Sequence, residues 1–186
     1  PAVFIAVVKR AHYHGIPVDG HIPARVLIQD AVAAGLDGVQ HLTGMKIGCA
    51  RRAQEWVDQI DLHLDKSSGT AKGYEMIGEV HRSIHPRAQA DQDPLKCNSL
   101  MNVFVKQATW HTPTLSLMAI RTLHYYDQDD WHRPYRYLPE PIRSEMREQL
   151  APIVDTEQYP SLSNSGEWAL KTVRQLHQAG VKLLAG

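Results

Sequence analysis

Apolar and polar positions fall into one local pattern three times along the chain. A stretch with helical spacing closes on a glycine, and a short apolar run follows. Residues 4–14 precede Gly15 and the run 16–21 (IPVDGH), and residues 25–34 precede Gly35 and the run 36–41 (LDGVQH). Residues 166–179 precede Gly180 and the run 181–186 (VKLLAG). Glycine takes the left-handed position that ends a helix without a Cβ clash. The runs after it are nearly free of charge, as suits strands buried on both faces. Helix, glycine and buried strand in repetition predict an α/β chain with a parallel sheet. The first two runs end about 20 residues apart, near the shortest crossover that a helix and two turns allow.

The middle of the chain is less regular. Residues 51–64 carry a helical stripe of Ala53, Trp56, Val57, Ile60 and Leu64, broken by the SSGT run at 67–70. A helical pattern resumes over 74–84 and is expected to stop before Pro86. Residues 94–108 predict a helix whose buried side is Leu95, Leu100, Met101, Phe104 and Val105. Residues 109–115 (TWHTPTL) read as a strand ended by its proline. Residues 125–141, rich in aromatics, proline and charge, read as a loop or lid, with a helix over 140–150.

Length and composition narrow the function classes. The 186 residues make one domain or part of a larger one. Lys+Arg and Asp+Glu each total 20, so there is no basic field to collect nucleic acid or anionic lipid. The longest apolar run, residues 2–8, is too short to span a bilayer, and nothing at the start reads as a signal peptide. Cys49 and Cys97 are too few for a disulfide scaffold and too far apart for a CxxC site; they are expected to be partly buried free thiols. The unusual count is histidine, at 11, which hints at metal or acid–base chemistry.

The position of two histidines sharpens that hint. His21 and His41 each fall at the C-terminal end of a predicted parallel strand, the edge where α/β folds gather ligands. On neighbouring strands they would project imidazoles into one mouth, and neutral imidazole suits zinc and similar divalent ions. A strand-end histidine is also commonly just a hydrogen-bonded side chain, and spacing alone leaves both readings open.

Four segments taken in order, residues 15–23 (GIPVDGHIP), 31–44 (AVAAGLDGVQHLTG), 110–115 (WHTPTL) and 178–186 (QAGVKLLAG), resemble the amidohydrolase superfamily. More narrowly, they resemble its imidazolonepropionase- and prolidase-like metal-dependent hydrolases. The resemblance implies a (β/α)8 TIM barrel with a metal centre at its C-terminal mouth. It would make 16–21, 36–41, 110–115 and 181–185 strands five to eight, and His21 and His41 the strand-five and strand-six metal ligands. Gln40 stands where the family usually has Glu. The aspartate expected after strand eight, ligand and proton acceptor, would lie beyond Gly186, and strands one to four would precede Pro1. The expectation is therefore a partial barrel, 1–186 being one segment from the C-terminal part of an amidohydrolase domain.

Other residues invite weaker readings. His12 and His14 form a literal His-x-His, but alternate residues on a helix point apart, and histidines in a last helical turn suit the dipole. Both read as surface residues. His81 and His85 have the four-residue spacing that can grip a metal, yet Arg82 stands where HExxH needs Glu, and a solvated helix face is the expectation. Asp19 shares a pleat face with His21 and could orient that imidazole, or could be a turn residue before Gly20. His111 could touch substrate from strand seven; a packed or hydrogen-bonded ring is the blander reading. The acidic run at 127–130 reads as a solvated loop, and Trp56, Trp110, Trp131 and Trp168 as core rather than substrate platform.

The resemblance implies a hydrolase acting on amide-like or cyclic-amide C–N bonds through a metal-activated water, with a small-molecule or dipeptide-like substrate. The cofactor would be a divalent metal, zinc by default, with one or two ions in the complete protein; manganese or iron would also suit. Two imidazoles are fewer than the three ligands of a catalytic zinc site, so the activity is assigned to the complete parent protein and the isolated segment is expected to be inactive. Its open strand edges invite association, including homo-oligomers. The alternative is a non-catalytic α/β binding or interaction module with structural histidines; no phosphate loop or dinucleotide fingerprint supplies it with a nucleotide. Nucleic acid and membrane are not expected partners. A cytoplasmic location is the default, with export left open because an earlier N-terminus could carry a signal.

Overall fold

The computed structural model describes residues 1–66, 77–116, 136–145, 148 and 160–186. They belong to two compact units: Pro1–Pro113 with Val173–Ala185, and Thr114–Thr172 with Gly186. In chain order the elements are α1 (Ala2–Tyr13), β1 (Asp19–Gly20), α2 (Ile28–Ala33), β2 (Gly38–Gln40), α3 (Met45–Gly48) and α4 (Ala53–Lys66). A π-helical stretch Val80–Ile84 follows, then α5 (His85–Ala90), α6 (Pro94–Gln107), β3 (Trp110–Thr112) and α7 (Pro160–Gln178).

Four helix ends share one closure. After α1, the Gly15 N–H donates to the His12 carbonyl at 2.9 Å and the Ile16 N–H to the Ala11 carbonyl at 3.0 Å. Gly35 and Leu36 close α2 on Val32 and Ala31, and Gly180 and Val181 close α7 on His177 and Leu176, in the same way. Ala108 and Thr109 repeat the motif on Val105 and Phe104. This paired bonding satisfies carbonyls that a helix leaves open and needs a left-handed residue at its centre. Gly15, Gly35 and Gly180 take it at φ 69°, 103° and 86°, and Ala108 takes it at φ 55° without being glycine. The repeated pattern in the sequence is thus a repeated backbone device that turns each helix into the strand after it.

The sheet is parallel, in the order β1-β2-β3. Asp19 pairs with Gly38, Gly20 with Val39, and Val39 with His111. His111 also bridges in parallel to Leu183, through its N–H to the Lys182 carbonyl and the Leu184 N–H to its own carbonyl, each 2.9 Å. Four parallel segments therefore lie side by side in sequence order. They are shorter than the runs 16–21, 36–41, 109–115 and 181–186. Pro17, Pro23 and Pro113 have no N–H for a ladder, and at His41 and Leu42 the chain leaves the extended region for φ 54° and 56°.

Alternation along the strands divides the sheet into two faces. Gly20, Val39 and His111 point one way, and His111 meets the Phe104 ring of α6 with centroids 4.4 Å apart. Asp19, Gly38 and Trp110 point the other way, where the Lys182 ammonium lies over the Trp110 ring at 5.0 Å. On the helical side Ile28, Val32, Val39, Met45, Leu100, Met101 and Phe104 are fully buried, and each such side chain contributes about 1.5–3 kcal/mol relative to exposure. At Gly48 an added Cβ would collide with Ile28 and sit 3.0 Å from Leu100, so its absence lets α3 lie close against α2 and α6. Farther along, Trp56, Val57 and Ile60 of α4 join Val80, Ile84 and Ala88 in a second cluster.

Several sequence-based expectations change here. Pro86 does not end its helix: it lies in the first turn of α5, where a missing N–H costs nothing. Cys49 and Cys97 are not free thiols but a disulfide, both nearly buried. Backbone pairing brings them together, since the Arg51 N–H donates to the Asp91 carbonyl and the Asp93 N–H to the Cys49 carbonyl, each 2.9 Å. Asp19 lies in β1 rather than in a turn. Asp37 pins α1 to the sheet, accepting from the Val18 N–H and contacting His12 Nε2, both at 2.7 Å. Burial opposes its ionisation, but the Val18 N–H and His12 together hold its pKa below the ordinary carboxylate value.

In the second unit residues 140–145 are helical, with Arg143 paired to Glu140 at 2.6 Å. Most of the lid-like stretch 125–141, the acidic run 127–130, Trp131 and the rest of the 140–150 helix lie outside the described residues. Among the described residues no helix is long and apolar enough to cross a membrane.

Candidate functional site

The loops that leave β1 and β2 are tied to each other. The Ile22 N–H donates to Thr43 Oγ1 at 3.0 Å, and that hydroxyl donates to the Gln40 carbonyl at 2.9 Å. The His41 N–H donates to the Thr112 carbonyl at 2.9 Å, extending the ladder toward β3. Gly44, at φ 78°, lies against Ile22 and Ile28, where an added Cβ would stand 3.1–3.3 Å from their carbons. The chain is therefore held on both sides of His21 and His41.

Within that frame the two imidazoles meet, ring centroids 4.9 Å apart and planes at 66°. Simple alternation does not produce this contact. Continuing the β1–β2 register by one residue sets Gln40 opposite His21, and His41 would fall on the other face. The left-handed conformations at His41 and Leu42 break the alternation at that point. Such conformations are costly for residues with a Cβ and persist where surrounding packing over-determines them; here Leu42 is buried and His41 is bonded to β3. His21 is exposed, whereas Nδ1 of His41 is buried and has no hydrogen-bond partner among the described residues. A buried ring nitrogen without a partner, beside a second imidazole, is a donor set that suits a divalent ion. Among the described residues no three His, Cys, Asp or Glu side chains form a group able to hold a metal.

The remaining candidate residues take different places. Asp19 lies across Gly38 and accepts a hydrogen bond from Gln40 Nε2. His111 is completely buried on the helical side against Phe104, and neither ring nitrogen has a hydrogen-bond partner among the described residues. Burial pushes its pKa down to about 4, so the ring is neutral at pH 7. His12 and His14 are exposed at the end of α1, His12 engaged with Asp37. His81 and His85 do meet, with centroids 4.5 Å apart, but only His81 is on the solvated face. Burial, then the charges of His81 and Lys46, push the pKa of His85 down to about 3.

Sequence reasoning overlooked Thr43, whose hydroxyl links the two loops. A Thr three residues after Gln40 is a local turn signal that could have revealed it. Gln40, at a position where the resemblance implies Glu, bonds Asp19 across the two strands. Set against known proteins, the chain matches no family model, no curated protein and no solved structure.

Proposed function

We propose that this chain supplies part of the metal centre of a hydrolase that acts on amide-like C–N bonds. The observation that carries the reading is the close meeting of His21 and His41 at the C-terminal ends of adjacent parallel strands, with Nδ1 of His41 buried and without a hydrogen-bond partner among the described residues. Parallel segments lying in sequence order, each preceded by a helix closure, are what successive staves of a (β/α)8 barrel would present, and they support reading the unit as part of one. His21 and His41 would hold the ion, zinc by default, with donors from outside the described residues completing the set. A divalent ion held there supplies Lewis-acid polarisation of a carbonyl and activation of water. The chain's own residues do the positioning. Thr43 and the His41 N–H fix the two loops, and Gln40 engages the Asp19 carboxylate across β1 and β2.

Binding of Zn2+ or Co2+ to the whole chain, followed through histidine ring resonances, tests the reading. The signals of His21 and His41 are expected to move together, and the response to vanish in His21→Ala/His41→Ala. Histidines that ignore both ions, or a double variant that binds as well as the parent, would favour a non-catalytic binding module. Hydrolysis of dipeptides and cyclic amides by the metal-loaded complete protein then tests the bond class.

A further inference from the structure

Away from the histidine pair, Arg51, Arg52, Glu55, Lys96 and Leu27 contribute to the wall of a cavity of about 400 Å³. Three cationic residues and one acidic residue line it, in a chain whose charges balance at 20 of each sign. A local excess of that kind raises the concentration of anions at the wall. The cations are also positioned. Lys96 Nζ donates to the Arg51 carbonyl at 2.6 Å, joining segments 45 residues apart. Arg52 is oriented by Asp91, whose carboxylate accepts its backbone N–H at 3.1 Å and lies 3.4 Å from its guanidinium. Asp91 is itself fixed by the Trp56 indole N–H at 2.9 Å.

These arrangements leave donors to spare. The Arg51 guanidinium has no acceptor among the described residues, and the Arg52 contact to Glu55 is long, at 3.7 Å. A guanidinium carries five N–H donors in a fork that matches a phosphate or carboxylate edge. Ala53, Gln54 and Glu55 of the first turn of α4 also line the cavity.

We propose that this cavity binds a phosphate group, with Arg51 and Lys96 as its main cationic contacts, Arg52 as a fixed third charge, and Leu27 against the organic body that carries it. A phosphate monoester and an anionic lipid headgroup offer the same chemistry to these side chains, and experiment separates them. Inorganic phosphate is titrated into the whole chain at constant ionic strength, with chloride as the competing salt, and amide shifts of residues 51–55 and 96 are followed. Saturable shifts are expected, weakened about tenfold or more in Arg51→Ala/Lys96→Ala, since charge-assisted hydrogen bonds are lost. Arg10→Ala, which removes an exposed cation on α1, should bind phosphate as the parent does. Arg51→Gln/Lys96→Gln keeps side-chain length and decides the matter if the alanine pair folds poorly. Vesicles containing phosphatidic acid form the second arm. Co-sedimentation that the variants lose assigns the group to a lipid, and its absence beside saturable phosphate binding assigns a soluble phosphate. Shifts that never saturate, or that are equal in parent and both variants, overturn the proposal.

Discussion

The carboxylate of Asp19 lies across the backbone of Gly38, its register partner on the neighbouring strand, and an added Cβ at Gly38 would stand only 3.1 Å from Asp19 Cβ as well as striking the carboxyl group. The missing side chain on β2 is what lets Asp19 reach Gln40. Gly38→Ala is therefore expected to destabilise the protein by about 1–3 kcal/mol, the usual range for overpacking. Asp19→Gly in the same chain should recover part of that loss. Denaturant unfolding of the two single variants and the double gives the coupling, and strictly additive effects would contradict it.

A second prediction concerns acid. Burial holds the pKa of His111 down at about 4, whereas an exposed histidine titrates near 6.5. The unfolded chain therefore binds the extra proton first. The stability owed to the neutral ring is fully present above pH 6.5 and is lost as pH falls from 6.5 toward 4. The size is about 3 kcal/mol by the linkage relation, and His85, held near 3, acts in the same direction over a window reaching lower. His111→Leu removes two buried nitrogens that have no partner among the described residues and should flatten the pH dependence between 6.5 and 4. Thermal unfolding across that range checks this; an unchanged slope would count against it.

The disulfide yields a third. Cys49 and Cys97 close a loop of 48 residues in sequence separation, and restricting the unfolded chain over that span contributes about 4 kcal/mol. Reduction, or Cys49→Ala/Cys97→Ala, should lower the midpoint of unfolding substantially. Because hydrogen bonds between Cys49 and Asp93 and between Arg51 and Asp91 already pair the two segments, the native near-ultraviolet spectrum should survive reduction. Loss of that spectrum on reduction alone would mean that the backbone pairing depends on the covalent link.

Ala108 offers the fourth. It closes α6 in the same bonding pattern that Gly15, Gly35 and Gly180 use, it is exposed, and it has φ 55°. Ala108→Gly removes a Cβ clash at no packing cost and should stabilise the protein by about 0.5–1 kcal/mol. A drop in stability would show that the side chain is needed there.

The sequence by itself determined the local order of this protein. Glycines after helical stretches were readable as helix closures, and the bonding at Gly15, Gly35 and Gly180 follows from short-range sterics that any left-handed residue imposes. The parallel α/β class followed from the same repeat, and so did the strand-end positions of His21 and His41. Tertiary structure decided what depends on partners distant in the chain. Ala108 closes a helix without the glycine that would have announced it. Cys49 and Cys97 meet because segments 40 residues apart pair their backbones. His111 turns away from Asp19 and Gln40 because register, not composition, assigns a strand residue to a face. Above all, His21 and His41 face each other through a break in strand alternation, held by Thr43, Leu42 and Thr112. A period-two pattern assigns residues to faces only while the backbone stays extended, and whether it does so at one residue is decided by the packing around it.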